Sequence, residues 1–426
     1  MSRPVAGPPV GPGLTSAPGL RPAPGLRPAP GLPGLALPGR LPGPKPRTLL
    51  APGTLLLAGV QPGRPVNLGE HRRYWGGAPV LGFDALVERV AAQDVVGAGG
   101  AAFPTDRKLA SLAGARVSHV IVNGAEGEAA SGKDGVLLGH VPHLVLDGAL
   151  TVARALGAPR VIVRISADRP DLAVSLAGVL AERQDGLPID VSVGPASFVA
   201  GEATAVIRSV TGGPSLPADL GRPPSIRSGL AHRRSHVMLS NAETFARMAL
   251  ASRGVAGRSA LASASGAVRD PGVVELPDSA TVAGLATAAG GLVGAPSVLI
   301  AGGWHGRWVP WDALTAGTEL TRDALSELGG RWGAGAFVWI PEDVLAWDVL
   351  TAIAWELAEG TAGQCGPCWR GLPAVAEAIA GAADGAAGRD EVEGLMAQVD
   401  GRGICAHPSA AVAALRSALD LIGEGR

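Results

Sequence analysis

The sequence is nearly without lysine. Of 36 basic residues only Lys45, Lys108 and Lys133 are lysines, and asparagine is as scarce, occurring only as Asn67, Asn123 and Asn241. Arginine serves almost everywhere else, so a retained lysine reads as a compact, strongly hydrated point charge placed for phosphate. Cysteine is rare too. An odd count of three in 426 residues argues against a disulfide framework and for a reducing, cytoplasmic compartment. Excess charge of one sign is missing: a formal net charge of -1 gives no reason to expect nucleic acid or an anionic membrane surface as partner. No apolar run reaches the roughly 18 residues of a membrane span. The best, Leu49 to Val60, is broken by Pro52-Gly53, and Arg3 has no apolar core behind it, so neither membrane insertion nor a secretory signal is expected. The length suggests two or three domains, with 47% hydrophobic content for their cores.

What is abundant is glycine, and it concentrates chemistry between Gly97 and Asp134. Two glycine-rich turns, V-G-A-G-G-A-A-F-P-T-D-R-K-L (Val96 to Leu109) and V-N-G-A-E-G-E-A-A-S-G-K-D (Val122 to Asp134), flank a β-branched run, Val117 to Val122. Glycines at this density let the backbone approach a ligand, and their N–H groups can cradle an anion. Each turn closes on a lysine. The plainer alternative is that Lys108 and Lys133 are surface residues beside structural turns.

Taken in order, residues 1 to about 48 are a proline and glycine tract with a rough A-P-G-L-R-P repeat, which cannot bury enough apolar surface to order itself and is expected to be disordered. Phe83, Leu86, Val87 and Val90 mark a first amphipathic helix. Val117 to Val122, Leu144 to Leu156 and Arg160 to Ile165 then read as a βαβ unit, with the second glycine turn at the carboxyl end of its first strand, where open α/β sheets bind ligands. A helix (Asp171 to Glu182) and a strand (Ile189 to Val193) extend the alternation. The ordinary G-x-G-x-x-G dinucleotide fingerprint is absent. In F-V-A-G-E-A-T-A (Phe198 to Ala205) Glu202 falls in a first helical turn, where an acid is commonly only a macrodipole partner worth ~0.3 to 1 kcal/mol. In S-N-A-E-T (Ser240 to Thr244) Asn241 is equally explained as an N-cap. Residues 254 to 265 read as a small, polar connection. Val268 to Leu276, Val282 to Ala289 and Ser297 to Ile300 suggest a small α+β module, with Trp304, Trp308 and Trp311 packing it on a neighbour. The last ninety or so residues read as helical, from Val344, Leu372, Glu391 and Ala410.

All three cysteines lie in that helical end, as C-G-P-C (Cys365 to Cys368) and C-A-H (Cys405 to His407). Three readings compete. C-G-P-C is a redox spelling, but that chemistry wants a preceding strand inside a βαβ unit, and here a helix and a glycine turn precede it. Cys365, Cys368, Cys405 and His407 make a complete tetrahedral zinc set. Three thiolates also suit an iron-sulfur cluster with one other ligand or an open iron. The residues alone favour zinc slightly.

Taken together these motifs resemble the flavin- and NADH-binding subunit of bacterial respiratory complex I and its relatives in soluble hydrogenases and formate dehydrogenases. The family's G-R-G-G-A-G-F-P-T-G-x-K-W is similar to G-A-G-G-A-A-F-P-T-D-R-K-L. Its N-A-D-E-x-E-P-G-x-F-K-D-R, followed by P-H-L and E-G, is similar to N-G-A-E-G-E-A-A-S-G-K-D-G, followed by Pro142-His143-Leu144 and Asp147-Gly148. Y-I-C-G-E-E-T-A, N-N-V-E-T and S-C-G-x-C-x-P-C-R correspond to F-V-A-G-E-A-T-A, S-N-A-E-T and T-A-G-Q-C-G-P-C-W-R. N-G-A-E also resembles the electron-transport subunit of the Rnf type.

The resemblance implies an α/β architecture: a disordered tail (1–48), a Rossmann-like FMN-binding domain (49–253), a soluble-ligand-binding β-grasp domain (254–335) and a helical bundle carrying an iron-sulfur site (336–426). By position, Gly97, Gly99, Gly100, Lys108, Asn123, Glu126, Gly201, Glu202 and Asn241 would hold FMN. Glu128 matches the acid placed near the nicotinamide, and Cys365, Cys368 and Cys405 would hold the cluster. It reverses the preference for zinc. The implied function is electron transfer from NADH or another donor through FMN and the cluster to a ferredoxin-like partner, in the cytoplasm and peripheral to any membrane complex. The departures are Ala98 for arginine, Ala125 for aspartate, Phe198 for tyrosine, Ala203 for the second glutamate and Ala362 for the first cluster cysteine. With Ala362 the cluster is a [4Fe-4S] with a fourth ligand such as His407 or solvent, or a [3Fe-4S]. A non-catalytic scaffold of the same fold, with a zinc or empty site, is the alternative.

Overall fold

The computed structural model describes residues 48–51, 53, 55–60, 64–218, 236–277, 279–344 and 346–424. The expected disorder of the N-terminal tract falls outside them. Helices α1 (Leu68–Trp75), α2 (Phe83–Ala92) and α3 (Thr105–Ala110) precede a parallel sheet of β1 (Val117–Gly124), β2 (Val161–Ser166), β3 (Ile189–Gly194) and β4 (His236–Asn241). Between those strands run α4 (Lys133–His140), α5 (Pro142–Ala155), α6 (Pro170–Ala181) and α7 (Ala203–Val210), and α8 (Ala242–Ser252) follows β4. The strand order is β3-β2-β1-β4, so the chain leaves β1 first to one side and later returns to the other. The point of reversal lies between β1 and β4, whose ends Asn123 and Asn241 are direct register partners. In doubly wound sheets that crevice is where ligands bind.

Burial explains the strand sequences. All six residues of β2 are buried, as a central parallel strand covered on both faces demands. On one face Val120, Val122, Val161, Val163 and Ile165 join a large core with α5 and α8. On the other, Ile121, Ile162, Val237 and Leu239 meet Val206 and Ile207 of α7. Gly148 lets α5 cross α8 closely, since a Cβ there would lie 1.9 Å from the Phe245 carbonyl oxygen.

A second sheet, in the order β6-β5-β9-β7-β8, is built from β5 (Ser259–Gly266), β6 (Gly272–Pro277), β7 (Pro296–Ala301), β8 (Arg307–Pro310) and β9 (Ala336–Pro341). Two antiparallel hairpins flank the parallel pair β5–β9, and α9 (Val282–Ala288) connects them, a β-grasp arrangement. The short helices α10 (Ala313–Gly317) and α11 (Arg322–Glu327) lie between β8 and β9. Helices α12 (Ala346–Glu359), α13 (Leu372–Ala383), α14 (Arg389–Val399) and α15 (His407–Glu424) complete the chain.

Two expectations need correction here. The polar connection at residues 254–265 contains β5, a core strand. Its Ser-Ala alternation lacks the branched residues that mark strands, but small side chains suit a strand buried on both faces, with Ala262, Ser263 and Ala264 at 0% exposure. The helical reading from 336 onward begins with β9, the central strand of the second sheet, whose wholly buried A-F-V-W-I-P carries no alternation. Trp304 and Trp308 share a core with Val349, Ala354 and Leu415 of the helical region, while Trp311 packs edge-on against Trp339. Among the described residues no single helix is long and apolar enough to cross a membrane.

A buried ionic knot fixes the helices beneath the first sheet. Asp147 of α5 accepts hydrogen bonds from His71 Nε2 at 2.8 Å, Arg183 at 2.6 Å and Arg253. Burial pushes the Asp147 carboxyl up, but the His71 hydrogen bond and the Arg183 charge outweigh it and hold it at about 2. A carboxylate held below its unfolded value of about 3.9 stabilises the fold above that pH, and the benefit fades as pH falls toward 2. Asp147→Asn should therefore cost about 3 to 5 kcal/mol at pH 7, because two arginines lose their buried partner. Urea unfolding from pH 7 to pH 3 should show the wild type losing stability toward acid faster than the variant; parallel curves would show that Asp147 does not carry the effect.

Candidate functional site

The first glycine turn is a closed loop laid over the end of β4. Val96 bridges Pro104, and Gly97 N–H donates to the Phe103 carbonyl at 3.0 Å. Ala98 N–H donates to Thr244 Oγ1 at 3.0 Å, which ties the loop to the start of α8. Gly99 then comes close to Asn241, where a Cβ would sit 3.8 Å from the asparagine Cβ. Gly100 has φ +106°, a left-handed conformation that glycine adopts without strain.

Lys108, on α3, points at the same edge. Its Nζ donates to the carbonyl of Leu239 on β4 at 2.6 Å, and burial alone pushes its pKa down to about 8. No carboxylate of the described residues pairs with it. A half-buried ammonium beside a glycine loop and lacking an anion is suited to a phosphate.

Lys133 is different. It is buried, with Asp134 and Glu243 carboxylates each at 3.1 Å and Asn241 Oδ1 at 3.0 Å. Burial opposes its charge, yet the two acids hold its pKa above the ordinary lysine range. The ammonium is already neutralised, so of the two turn lysines only Lys108 is left for an anion. Asp134, under the same burial, is pushed up to about 6 against the pull of Lys133.

The crevice floor is made of backbone pressed on backbone. Asn123 donates from Nδ2 to the Gly201 carbonyl at 2.8 Å and accepts Ala125 N–H at 3.2 Å. Gly201 allows that approach: a Cβ would lie 2.6 Å from the Ala125 carbonyl oxygen. Gly127 likewise faces the Phe198 carbonyl, 2.2 Å from where a Cβ would be. Asn241 caps α8 by accepting Glu243 N–H at 3.0 Å and donates to Asp134 at 2.5 Å. Gly99, Asn123, Gly201 and Asn241 thus gather at the switch point, with Lys108 on the β4 side.

The acids singled out in the sequence cap backbone. Glu126 accepts Ser131 Oγ at 2.7 Å and the N–H groups of Asp134 and Gly135 at 3.2 Å, closing the start of α4. Glu128 accepts Ala130 N–H at 3.2 Å and Trp304 N–H at 3.1 Å, joining the second turn to the β7–β8 loop. Glu202 Oε2 caps α7, accepting Thr204 N–H at 2.9 Å and Ala205 N–H at 3.0 Å. Sequence reading missed Thr244, the anchor of the glycine loop, and Arg164, a buried residue on β2 beside Asn123 whose hydrogen-bond partners among the described residues are the Ser192 and Ser215 hydroxyls. An arginine inside a β-branched strand was the available signal.

The cysteines gather within reach of Glu202, the cap of α7. A π-helical turn, Pro367–Gly371, buries Cys368 and leaves Trp369 exposed. Burial, then the neighbouring Cys365 and Cys405 thiols, push the Cys368 thiol up, and Ala362 N–H hydrogen-bonds to it. Cys405 is pushed up by burial too, with the Glu202 charge adding to it. His407 Nε2 lies 2.8 Å from the Leu357 carbonyl, an acceptor only, so that nitrogen carries the proton. Its Nδ1 then accepts from His305 Nε2 at 3.1 Å. Both ring nitrogens are committed, which removes His407 from the expected ligand set: the tetrahedral zinc reading loses its fourth donor, and so does a His407-capped cluster. Among the described residues no three His, Cys, Asp or Glu side chains converge on a single-ion site.

Known proteins share these features. A family model described as the Nuo51 FMN-binding domain matches residues 90–249, and one described as the NADH-ubiquinone oxidoreductase-F iron-sulfur binding region matches 348–424. An F-type subunit of NADH-quinone oxidoreductase from Rhizobium meliloti is 27% identical over 368 residues, 79% of this chain and 86% of that protein. The F-type subunit of the same enzyme from Escherichia coli is 26% identical over 413 residues, 85% of this chain and 89% of that protein. The C-type subunit of the ion-translocating oxidoreductase complex of Pseudomonas aeruginosa is 33% identical over 141 residues, 32% of this chain and 18% of that protein. The solved structure of an NAD+-reducing [NiFe]-hydrogenase superposes with a TM-score of 0.69 at 22% identity, over 79% of this chain and 61% of that one.

Gly201→Ala tests the crevice floor. The added methyl should destabilise the protein by about 1 to 3 kcal/mol through overpacking against Ala125. The check is thermal unfolding beside Gly157→Ala, which meets nothing within 4 Å but is strained at φ +63°. Gly201 is not in the left-handed region, so a loss no greater than at Gly157 would mean that the approach to Ala125 relaxes at little cost.

Proposed function

This chain belongs to the family of flavin- and NADH-binding F-type subunits, as an FMN-binding, NADH dehydrogenase-like electron-transfer subunit with an iron-sulfur region, and from that premise we propose how its residues divide the work. Lys108 is the observation that carries the reading: a half-buried cation with no carboxylate partner among the described residues, beside a glycine loop at a topological switch point, supports the flavin phosphate as its anion. The N–H groups of Gly99 and Gly100 complete the phosphate cradle, and Gly97, whose N–H is held by the Phe103 carbonyl, closes the loop that presents them. Asn123, Gly201, Glu202 and Asn241 border the ring, Glu126 holds the loop that carries Glu128, and Glu128 faces the donor. FMN supplies two-electron acceptance and one-electron release, and the cluster supplies one-electron relay.

Cys365, Cys368 and Cys405 hold the cluster. Cys368 and Cys405 are buried side by side with Cys365, and three sulfurs gathered in one place fit a group that takes them as thiolates. Ala362 leaves one corner without a protein thiolate, and with His407 committed the fourth position belongs to solvent or the cluster is of the three-iron type. The electron donor is NADH and the acceptor a ferredoxin-like protein, in a cytoplasmic complex. The modules we assign are 49–253, a β-grasp unit from 254 that includes β9, and the helices after it.

Purified anaerobically, the protein should show flavin absorbance and about three or four irons per chain. A preparation that stays colourless and iron-free after reconstitution overturns the reading. Lys108→Met should weaken FMN binding roughly ten- to a hundredfold, the loss expected for one charge-assisted hydrogen bond, measured by flavin fluorescence titration; unchanged affinity would remove Lys108 from the phosphate site. Bleaching of the bound flavin by NADH as well as by dithionite is expected. Bleaching by dithionite alone would mean that Ala98, Ala125 and Ala203 have closed the donor site.

A further inference from the structure

Beside the glycine loop, whose Val96 and Ala98 line it, a cavity of about 320 Å3 lies between the first sheet's helices and the β-grasp module. That is within the range of small-ligand sites, about 300 to 1,000 Å3. Leu55, Leu250, Val255 and Leu320 give it apolar walls, and Arg247, Arg322 and Trp332 also line it.

Three acids, Asp94, Glu243 and Asp323, and three arginines, Arg247, Arg258 and Arg322, line it, so what distinguishes one of them is pairing and not net charge. Glu243 is the buried acid of the cavity, and it is shared by Lys133 at 3.1 Å and Arg247 at 2.6 Å. Arg247 also donates to the Ser259 carbonyl, so its fork is occupied. At the rim, Asp94 faces Arg258 at 3.5 Å. Arg322 is the exception. It makes no hydrogen bond or ion pair with the described residues, and its guanidinium lies 6.0 Å from the centre of the Trp332 ring. Burial costs it hydration; the Glu243 charge attracts it without pairing, while Arg247 and Arg331 repel it. A guanidinium stays charged in proteins and offers five donors in a fixed plane. Stacking on tryptophan uses its face and leaves the edges free for a fork on an oxyanion.

We propose that this cavity is a binding site for a small organic oxyanion, its carboxylate or phosphate taken by Arg322 and its apolar body by Leu250, Val255 and Leu320. Arg322 and Trp332 are not among the residues assigned to the flavin, and only the FMN block used in the test rests on the proposed function. Carboxylate and phosphate present the same paired oxygens to an arginine, and the probes below tell them apart.

The test is calorimetric titration of the full chain, saturated with FMN to block Lys108, with phenyl phosphate, benzoate and inorganic phosphate in turn. Phenyl phosphate, benzoate or both should bind one per chain, and whichever binds names the headgroup. Inorganic phosphate should bind at least tenfold more weakly than phenyl phosphate if phosphate is the headgroup. Arg322→Gln should weaken the bound probe roughly ten- to a hundredfold, and Val255→Trp, which fills the apolar end and keeps Arg322, should weaken it as well. Circular dichroism and FMN content matching wild type would show that both variants fold. Failure of both organic probes to bind, binding indifferent to Arg322→Gln in the folded variant, or inorganic phosphate binding as well as phenyl phosphate would overturn the proposal.

Discussion

One buried ammonium organises the crevice. Lys133 joins Asp134 at the start of α4, Asn241 at the end of β4 and Glu243 at the start of α8. Glu243 passes the connection to Arg247, which reaches the first residue of β5 in the second sheet. Buried charges contribute little net stability, because desolvation offsets most of the Coulomb attraction, but removing one member leaves the others uncompensated. The arrangement therefore specifies where the second glycine turn, β4 and the β-grasp module sit relative to one another. Thr244, one residue beyond Glu243, adds the first glycine loop to the same assembly.

Carboxylates elsewhere repeat a simpler device, the capping of backbone N–H groups that a turn or helix start leaves unpaired. Glu126, Glu128 and Glu202 do this around the crevice. Glu275 does it for the entering chain, accepting N–H groups of Leu55, Leu56 and Leu57 and the Ser259 hydroxyl. Against the family pattern, the acids that cap backbone are kept, and those at Ala125 and Ala203 are gone. Loop shape at the crevice is thus retained while negative charge around it is reduced.

The modules also share a seam of aromatic rings. Phe198 from the crevice loop meets His305 of the β-grasp loop at 4.6 Å and His407 of the helical region at 5.3 Å. Because His407 is two residues from Cys405 and fixed by Leu357, the seam sets the position of the third thiol relative to the crevice. Burial pushes His305 down to about 3, so the seam stays uncharged at neutral pH.

The sequence by itself determined the parallel sheet and the importance of the two glycine turns, because β-branched runs and glycine density express local backbone preferences. It determined Cys365 and Cys368 as a local pair, while Cys405, beyond α13 and α14, joins them only through the fold. It did not reveal β5, whose alanines and serines look like a linker until a tight two-sided core accounts for them, nor β9, whose unbroken apolar run fits helix and strand equally. Only the tertiary structure decided between the lysines. Lys108 and Lys133 are alike in their turns, and what separates them is that Glu243, 110 positions beyond Lys133, folds against one and not the other. The fate of His407 was decided the same way, by a carbonyl at Leu357 and a ring at His305 that no local pattern connects. Charge compensation and the commitment of lone pairs depend on residues distant in the chain, and they exist only once it has folded.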